Sequence, residues 1–414
     1  MKPIEQANER STWLGVQSQY RSRFVQLWTA LMLVSIGMGL TQPLFSVRIV
    51  DRGISLQQYG ILQSLASLAT IFTQVWIGRF SDFLGRRKPL IIGGLLIIVP
   101  VLAVFPKAET MLVFGVLLAF YQVAFNAQRS LMTTWVSGWA EEGNMGRMHG
   151  TFRIAGSLGW IVATPFLGLL LDRYAFSTTF RLAAGIYLTA ALFITFTIRE
   201  PKQRTTVQDS ALSETVDESA AAATDGQFIW PLQLRLLFLA FAIFTLAQGM
   251  GFNLNFIFFV QELGVSNQQF GWLSSLQAWL EVPLMLSMGI ISDRFDVAKM
   301  LAIGMSVGGL RWLLLSLTTK AVWAYGVQLM HAVGVTVTEV LIVAVIARMV
   351  PSRHLGTVMG WRTTVRSLAM FLAPTVAGTI GENLGLRCVF RLSAVLALMA
   401  SLIILQVSRK SKAR

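Results

Sequence analysis

The chain has 414 residues, 54% of them hydrophobic and only 13% charged, about half the charged fraction of an ordinary soluble domain. Apolar runs of about 20 residues recur from end to end, the length that crosses a bilayer core of ~30 Å, and they exclude a soluble globular protein. Cys388 is the sole cysteine, which excludes an internal disulfide, and no metal-ligand spacing surrounds it.

Residues 1–23 are polar and lead into a full-length span, so no cleavable secretory signal is expected. In chain order, spans are predicted at 24–47, 57–80, 90–106, 110–136, 146–171 and 180–198. After a break they resume at 232–261, 267–290, 299–318, 321–347, 357–380 and 388–407. The expected fold is an all-α membrane protein with twelve transmembrane helices and both termini cytoplasmic. Its six-helix bundles cover 24–198 and 231–407. A cytoplasmic segment 1–23, a linker 199–230 and a basic tail 408–414 complete the chain. The linker opens with Arg199-Glu200-Pro201-Lys202 and continues as an acidic, Ser/Thr/Ala-rich stretch, a composition too polar to bury a core.

The net charge of +14 reports topology. With both termini inside, and with the four positions at each span's end counted with the adjoining loop, 21 of the 34 Lys/Arg fall on cytoplasmic segments, 8 outside and 5 within spans. That bias is the positive-inside pattern, so nucleic acid is not an expected partner.

The halves repeat one another. At an offset of 211 residues Gly60 matches Gly271, Leu62 matches Leu273, and Ser64-Leu65 matches Ser275-Leu276. Gly78 matches Gly289, Ser81-Asp82 matches Ser292-Asp293, Lys88 matches Lys299, and Gly93 matches Gly304. Near an offset of 210, Gly168 matches Gly378 and Phe180-Arg181-Leu182 matches Phe390-Arg391-Leu392. An internal duplication of this kind predicts two bundles rocking around a midplane site.

The loop after the second span reads Gly78-Arg79-Phe80-Ser81-Asp82-Phe83-Leu84-Gly85-Arg86-Arg87-Lys88-Pro89. It resembles the signature of the major facilitator superfamily, Gly-x-x-x-Asp-x-x-Gly-Arg-x-Lys/Arg, at the same place between spans two and three. The resemblance implies a cytoplasmic latch that stabilises the outward-facing state, with Gly78 permitting close helix approach. Asp82, Gly85, Arg86, Arg87 and Lys88 are its other expected members.

Charges inside spans are costly and therefore informative. Only Glu281 and Glu339, of 20 acids, lie within spans, against Arg129, Arg153, Arg311, Arg362 and Arg366. Glu281, in Trp279-Leu280-Glu281-Val282-Pro283, either loads and releases a proton or forms a fixed ion pair. Glu339 lies nearer the cytoplasmic end. His331 is eight residues from Glu339, roughly 12 Å along the axis, so the two could share a face without touching. It either titrates near neutral pH or packs as a hydrogen-bonded core residue. The arginines either face a cavity or snorkel and pair internally.

Arg153-Ile154-Ala155-Gly156-Ser157-Leu158-Gly159-Trp160, Arg311 with His331, and Arg366-Ser367-Leu368-Ala369-Met370 resemble the lactose permease branch. That branch also holds nucleoside/proton symporters, phenylpropionate permeases and sugar exporters. The resemblance implies that Arg153 and Trp160 contact substrate and that Arg311 and His331 belong to proton coupling, while Arg366 matches a lysine. The coupling carboxylate expected three residues after the histidine is Gly334. The fourth span carries Asn126, Gln128 and Arg129 where a carboxylate is expected, and the seventh carries Asn253 and Asn255. Asn126, Gln128 and Asn253 are therefore candidate substrate ligands with Arg153 and Trp160. Glu281, His331, Arg311, Glu339 and Arg366 are the candidate coupling set.

The function expected is secondary active transport of a small polar or anionic organic solute by alternating access, coupled to protons. The solute would be of sugar, nucleoside or aromatic-acid type. A multidrug/proton antiporter exporting amphipathic compounds is the alternative. Gly156, Gly159, Pro165 and Gly168 match an antiporter signature in part, which leaves direction open. Enzyme motifs such as a phosphate loop, His-Glu-x-x-His or Gly-x-Ser-x-Gly are absent from the sequence. The expectation is a non-enzyme without cofactor or metal, monomeric in the cell membrane, with the proton gradient as energy source.

Overall fold

Ser55 and Ser266, 211 residues apart, start matching helices with the same device. The Ser55 hydroxyl accepts the Gln58 N–H at 3.2 Å while Gln58 Oε1 accepts the Ser55 N–H at 3.1 Å. Ser266 and Gln269 repeat the pair at 3.2 and 3.0 Å. Each reciprocal cap satisfies two amide donors that a helix start leaves open.

A computed structural model describes residues 15–51, 53–141, 145–200 and 230–412. Most of the expected linker 199–230, the first fourteen residues and the last two lie outside them. The N-terminal half contains α1 (Arg21–Asp51), α2 (Leu56–Leu84), α3 (Lys88–Val104), α4 (Met111–Ser137), α5 (Met145–Arg173) and α6 (Phe176–Thr197). The C-terminal half contains α7 (Leu232–Ile257), α8 (Asn267–Arg294), α9 (Val297–Leu317), α10 (Ala321–Met349), α11 (Ser352–Leu384) and α12 (Leu386–Lys412). Each helix overlaps one expected span. The last continues through Lys412, into the stretch expected as a basic tail.

Ten of these helices are long and apolar enough to cross a membrane; α8 and α11 are the two that fall short. Their position explains the difference. The halves meet along α2 against α11 and α5 against α8, so these two spend hydroxyls, amides and charge on the seam and the cavity. Within the first half α1 packs on α5 and α6, α2 on α4, and α3 on α4 and α6. The second half repeats every one of these pairings six helices later.

The repeated residues of the sequence lie along the seam. A Cβ added at Gly60 would overlap the Pro374 carbonyl, and one at Gly271 would overlap the Thr164 carbonyl. Gly378 abuts Leu56 and Gln57, and Gly168 abuts Asn267 and Gln268 in the same way. The α2–α11 and α5–α8 contacts are thus backbone to backbone at the Ser55 end of the bundle, which only glycine permits. At the other end, a Cβ at Gly78, Gly150, Gly356 or Gly360 meets nothing within 4 Å. The molecule is closed at the Ser55 end and open at the Gly85 end.

In this state Gly78 has no close neighbour, and the latch residues are seen as they rest when the end is open. Gly85 terminates α2 with φ +61°, its N–H donating to the Ser81 carbonyl at 3.1 Å. Asp82 and Arg86 are exposed. Glu200 accepts the backbone N–H groups of Arg87 and Lys88 at 2.7 and 2.9 Å, which places a carboxylate at the positive start of α3. Lys88 Nζ donates to the carbonyls of Thr195 and Ile198 at 2.8 and 2.7 Å, closing the end of α6. Arg87 and Lys88 therefore tie α3 to α6 within their own half.

Candidate functional site

Between the halves lies a cavity of about 510 Å³, lined by α1, α2, α4 and α5 on one side and α7, α8, α10 and α11 on the other. Its N-terminal wall carries a polar chain. Ser46 bonds the Tyr59 hydroxyl at 3.1 Å, Gln63 Nε2 donates to that hydroxyl at 2.7 Å, and Gln122 donates to Gln63. Tyr59, Gln63 and Ser67 recur every four residues of α2, so one face of an otherwise apolar helix bears all three. Asn126 follows on α4, its Nδ2 donating to the Gln122 carbonyl at 2.8 Å. Trp160 and Arg153 line the cavity from α5. Seven residues, or about 10 Å, separate them, two turns that return to the same face.

The C-terminal wall carries a second chain across α8, α9 and α10. Glu281 Oε1 accepts from Gln277 Nε2 at 3.2 Å and lies 3.9 Å from His331 Nε2. Gln277 Oε1 accepts from Gln328 Nε2 at 2.6 Å, and Gln328 Oε1 accepts from Arg311 Nη2 at 2.8 Å. Arg311 is 1% exposed, with its guanidinium 3.9 Å over the Trp312 ring. Its Nε and Nη1 find no acceptor among the described residues. Phe252 stacks on the His331 ring with centroids 6.3 Å apart, and Asn253 Nδ2 donates to the Gly249 carbonyl at 2.6 Å.

Of the candidate substrate ligands, Arg153, Trp160, Asn126 and Asn253 line this cavity and Gln128 does not. Gln128 is fully buried against Gly94 of α3, and neither its Nε2 nor its Oε1 has a partner among the described residues. Of the candidate coupling residues, Glu281, His331 and Arg366 line the cavity; Arg311 stands behind Gln328. Glu339 belongs to a different cluster from His331. It takes Arg362 Nη2 at 3.2 Å and pairs with Arg366.

Sequence reasoning missed the amides Gln42, Gln63, Gln122, Gln277 and Gln328, all of which line the cavity. A signal was present. Amides inside apolar spans need partners, and Gln277 with Glu281 are one turn apart on α8. Among the described residues no group of three His, Cys, Asp or Glu is placed to hold a metal ion.

Two pseudo-symmetric helix bundles around a polar midplane cavity, closed at one end and open at the other, define an alternating-access carrier. The chain matches the model of the MFS_1-like family over residues 24–392, and it belongs to that family of membrane transporters of the major facilitator superfamily. It is 27% identical over 397 residues to a putative sugar efflux transporter of Deinococcus radiodurans, covering 93% of this chain and 98% of the relative. It is 25% identical over 385 residues to sugar efflux transporter A of Escherichia coli, covering 90% and 94%. Among solved structures, the nucleoside transporter NupG shares the fold with a TM-score of 0.73 at 14% identity, covering 93% of this chain and 98% of that one. The protein is a multi-pass membrane transporter of a small molecule and not an enzyme.

Proposed function

We propose that the chain carries sugar-type solutes out of the cell in exchange for protons, as a monomer in the cell membrane with twelve spanning helices and both termini cytoplasmic. The observation that carries this reading is the pair of amide-lined walls facing each other beside Trp160 and Arg153. Amides both donate and accept, as a ring of hydroxyls requires, and an indole face suits the apolar face of a sugar ring. The relatives named as sugar efflux transporters match nearly the whole chain, which supports both the solute class and the direction. An amphipathic drug would use few of the hydrogen-bonding positions that these amides still offer, which weighs against the multidrug alternative.

In this reading the Gly85 end is cytoplasmic and the structure faces inward. Solute enters between Trp160 and the amides while Glu281 gives up its proton to the cytoplasm, Gln277 and His331 remaining beside the carboxylate. Closure of the Gly85 end and parting of the seam at the Ser55 end then release solute outside, where Glu281 is protonated again. The test is flux of labelled glucose, lactose and maltose in proteoliposomes with an imposed pH gradient. Gradient-dependent accumulation of at least one sugar is expected, and no sugar flux of any kind would sink the proposal.

A further inference from the structure

The cavity holds more positive charge than the walls neutralise. Arg129 of α4 and Arg153 of α5 come from one half and Arg366 of α11 from the other, and all three line the cavity. Arg129 and Arg153 are exposed there and take part in none of the ion pairs among the described residues. Among the described residues that line the cavity, three guanidiniums face the carboxylate of Glu281, while Glu339, which pairs with Arg366 and Arg362, lies outside the lining.

Water in the open cavity screens this excess. Closing the Gly85 end expels water and brings the two N-terminal arginines toward Arg362 and Arg366, where like charges repel more strongly at lower dielectric. An anion held between the halves removes that penalty. Guanidiniums match an oxyanion in particular, through paired N–H···O bonds. Placement agrees, because Arg153 lies on the Trp160 face of α5 about 10 Å nearer the open end. A ring against Trp160 directs a charged substituent toward Arg153 and Arg129.

We propose that the cargo is a sugar bearing an oxyanion, a carboxylate or a phosphate, for which Arg129, Arg153 and Arg366 form the anion subsite. The inference rests on the sugar reading above and adds the charge.

The test is equilibrium exchange in proteoliposomes without any gradient, comparing labelled glucose, glucuronate and glucose 6-phosphate. At least one acid is expected to exchange with a KM at least 10-fold below that of glucose, and the two acids separate carboxylate from phosphate. In Arg129→Gln the preference for that acid over glucose falls at least 10-fold, and Arg129→Lys retains more of it than Gln does. Glucose exchange without preference for either acid overturns this inference and leaves the sugar reading intact. Absence of exchange for these three, lactose and maltose overturns both. Should Arg129→Gln not fold, competition of unlabelled glucuronate and glucose 6-phosphate against glucose exchange decides on the parent protein, and no competition by either overturns the subsite.

Discussion

The hydroxyl of Ser64 donates to the Phe371 carbonyl at 2.6 Å, and that of Ser275 donates to the Ile161 carbonyl at 2.9 Å. They are the same contact, made once by each half across the seam. The symmetry breaks one turn on: Thr375 adds a 2.7 Å bond to Ser64, whereas Pro165 stands at the matching place and offers no donor. The closed end is therefore fastened slightly more firmly along α2–α11 than along α5–α8.

Gly60 and Gly271 set the spacing of that seam. Valine at either position cannot fit against the opposing carbonyl, so the helices must part at the Ser55 end. In a Cys388→Ser background with Gln42→Cys as a cavity reporter, an impermeant thiol reagent added outside cells should label Gly60→Val at least 10-fold faster than the parent. Gly271→Val should behave alike, with solute exchange reduced in both. Unchanged labelling would mean that another contact holds this end shut.

Carboxylates reinforce the same end. Glu382 Oε2 accepts the Leu56 N–H at 2.8 Å, and Asp172 Oδ1 accepts Asn267 Nδ2 at 3.3 Å. Each acid, near the end of its helix, sits at the start of a helix in the opposite half, where an anion contributes about 0.3–1 kcal/mol. Glu382→Gln should raise outside labelling of the Gln42→Cys reporter by about 2- to 5-fold, since ~1 kcal/mol is a factor of about 5. A smaller effect is expected from Asp172→Asn, whose partner is a side chain and lies farther away. The reverse order would assign the main closure to α5–α8.

Much of this was legible in the sequence, because a duplicated register marks residues that do one job twice. Gly60/Gly271, Ser64/Ser275 and Gly168/Gly378 share one register in the sequence, and all lie on the seam. The amide chains were less legible, since Gln277, Gln328 and Arg311 meet only when α8, α9 and α10 pack together. Asn126 and Gln128 show a missed inference. Two residues apart on a helix, they point about 160° from each other, so a cavity that holds Asn126 excludes Gln128. Arg129, three residues after Asn126, shares its face and does line the cavity.

Glu281 offers the test of coupling. Among the described residues it is the acid that lines the cavity, with Gln277 and His331 beside it, whereas Glu339 is already committed to Arg362 and Arg366. Glu281→Gln keeps the shape and the Gln277 contact but cannot carry a proton. Gradient-driven accumulation should fall at least 10-fold while equilibrium exchange survives. Accumulation equal to that of the parent would move the proton to His331 or Glu339.

Gln128 separates stability from transport. Its amide is buried with neither polar atom partnered among the described residues, and burying such a group costs about 1–3 kcal/mol. Methionine has nearly the same length and volume without the amide, and volume-conserving exchanges in packed cores are tolerated. Gln128→Met should therefore stabilise the protein by roughly 1 kcal/mol, read as a Tm raised by a few degrees in detergent. Gln128→Ala should lower it, because the space against Gly94 is left empty. A lower Tm for the methionine variant would show that the amide is hydrogen-bonded to a buried water, the remaining way to satisfy it between α3 and α4.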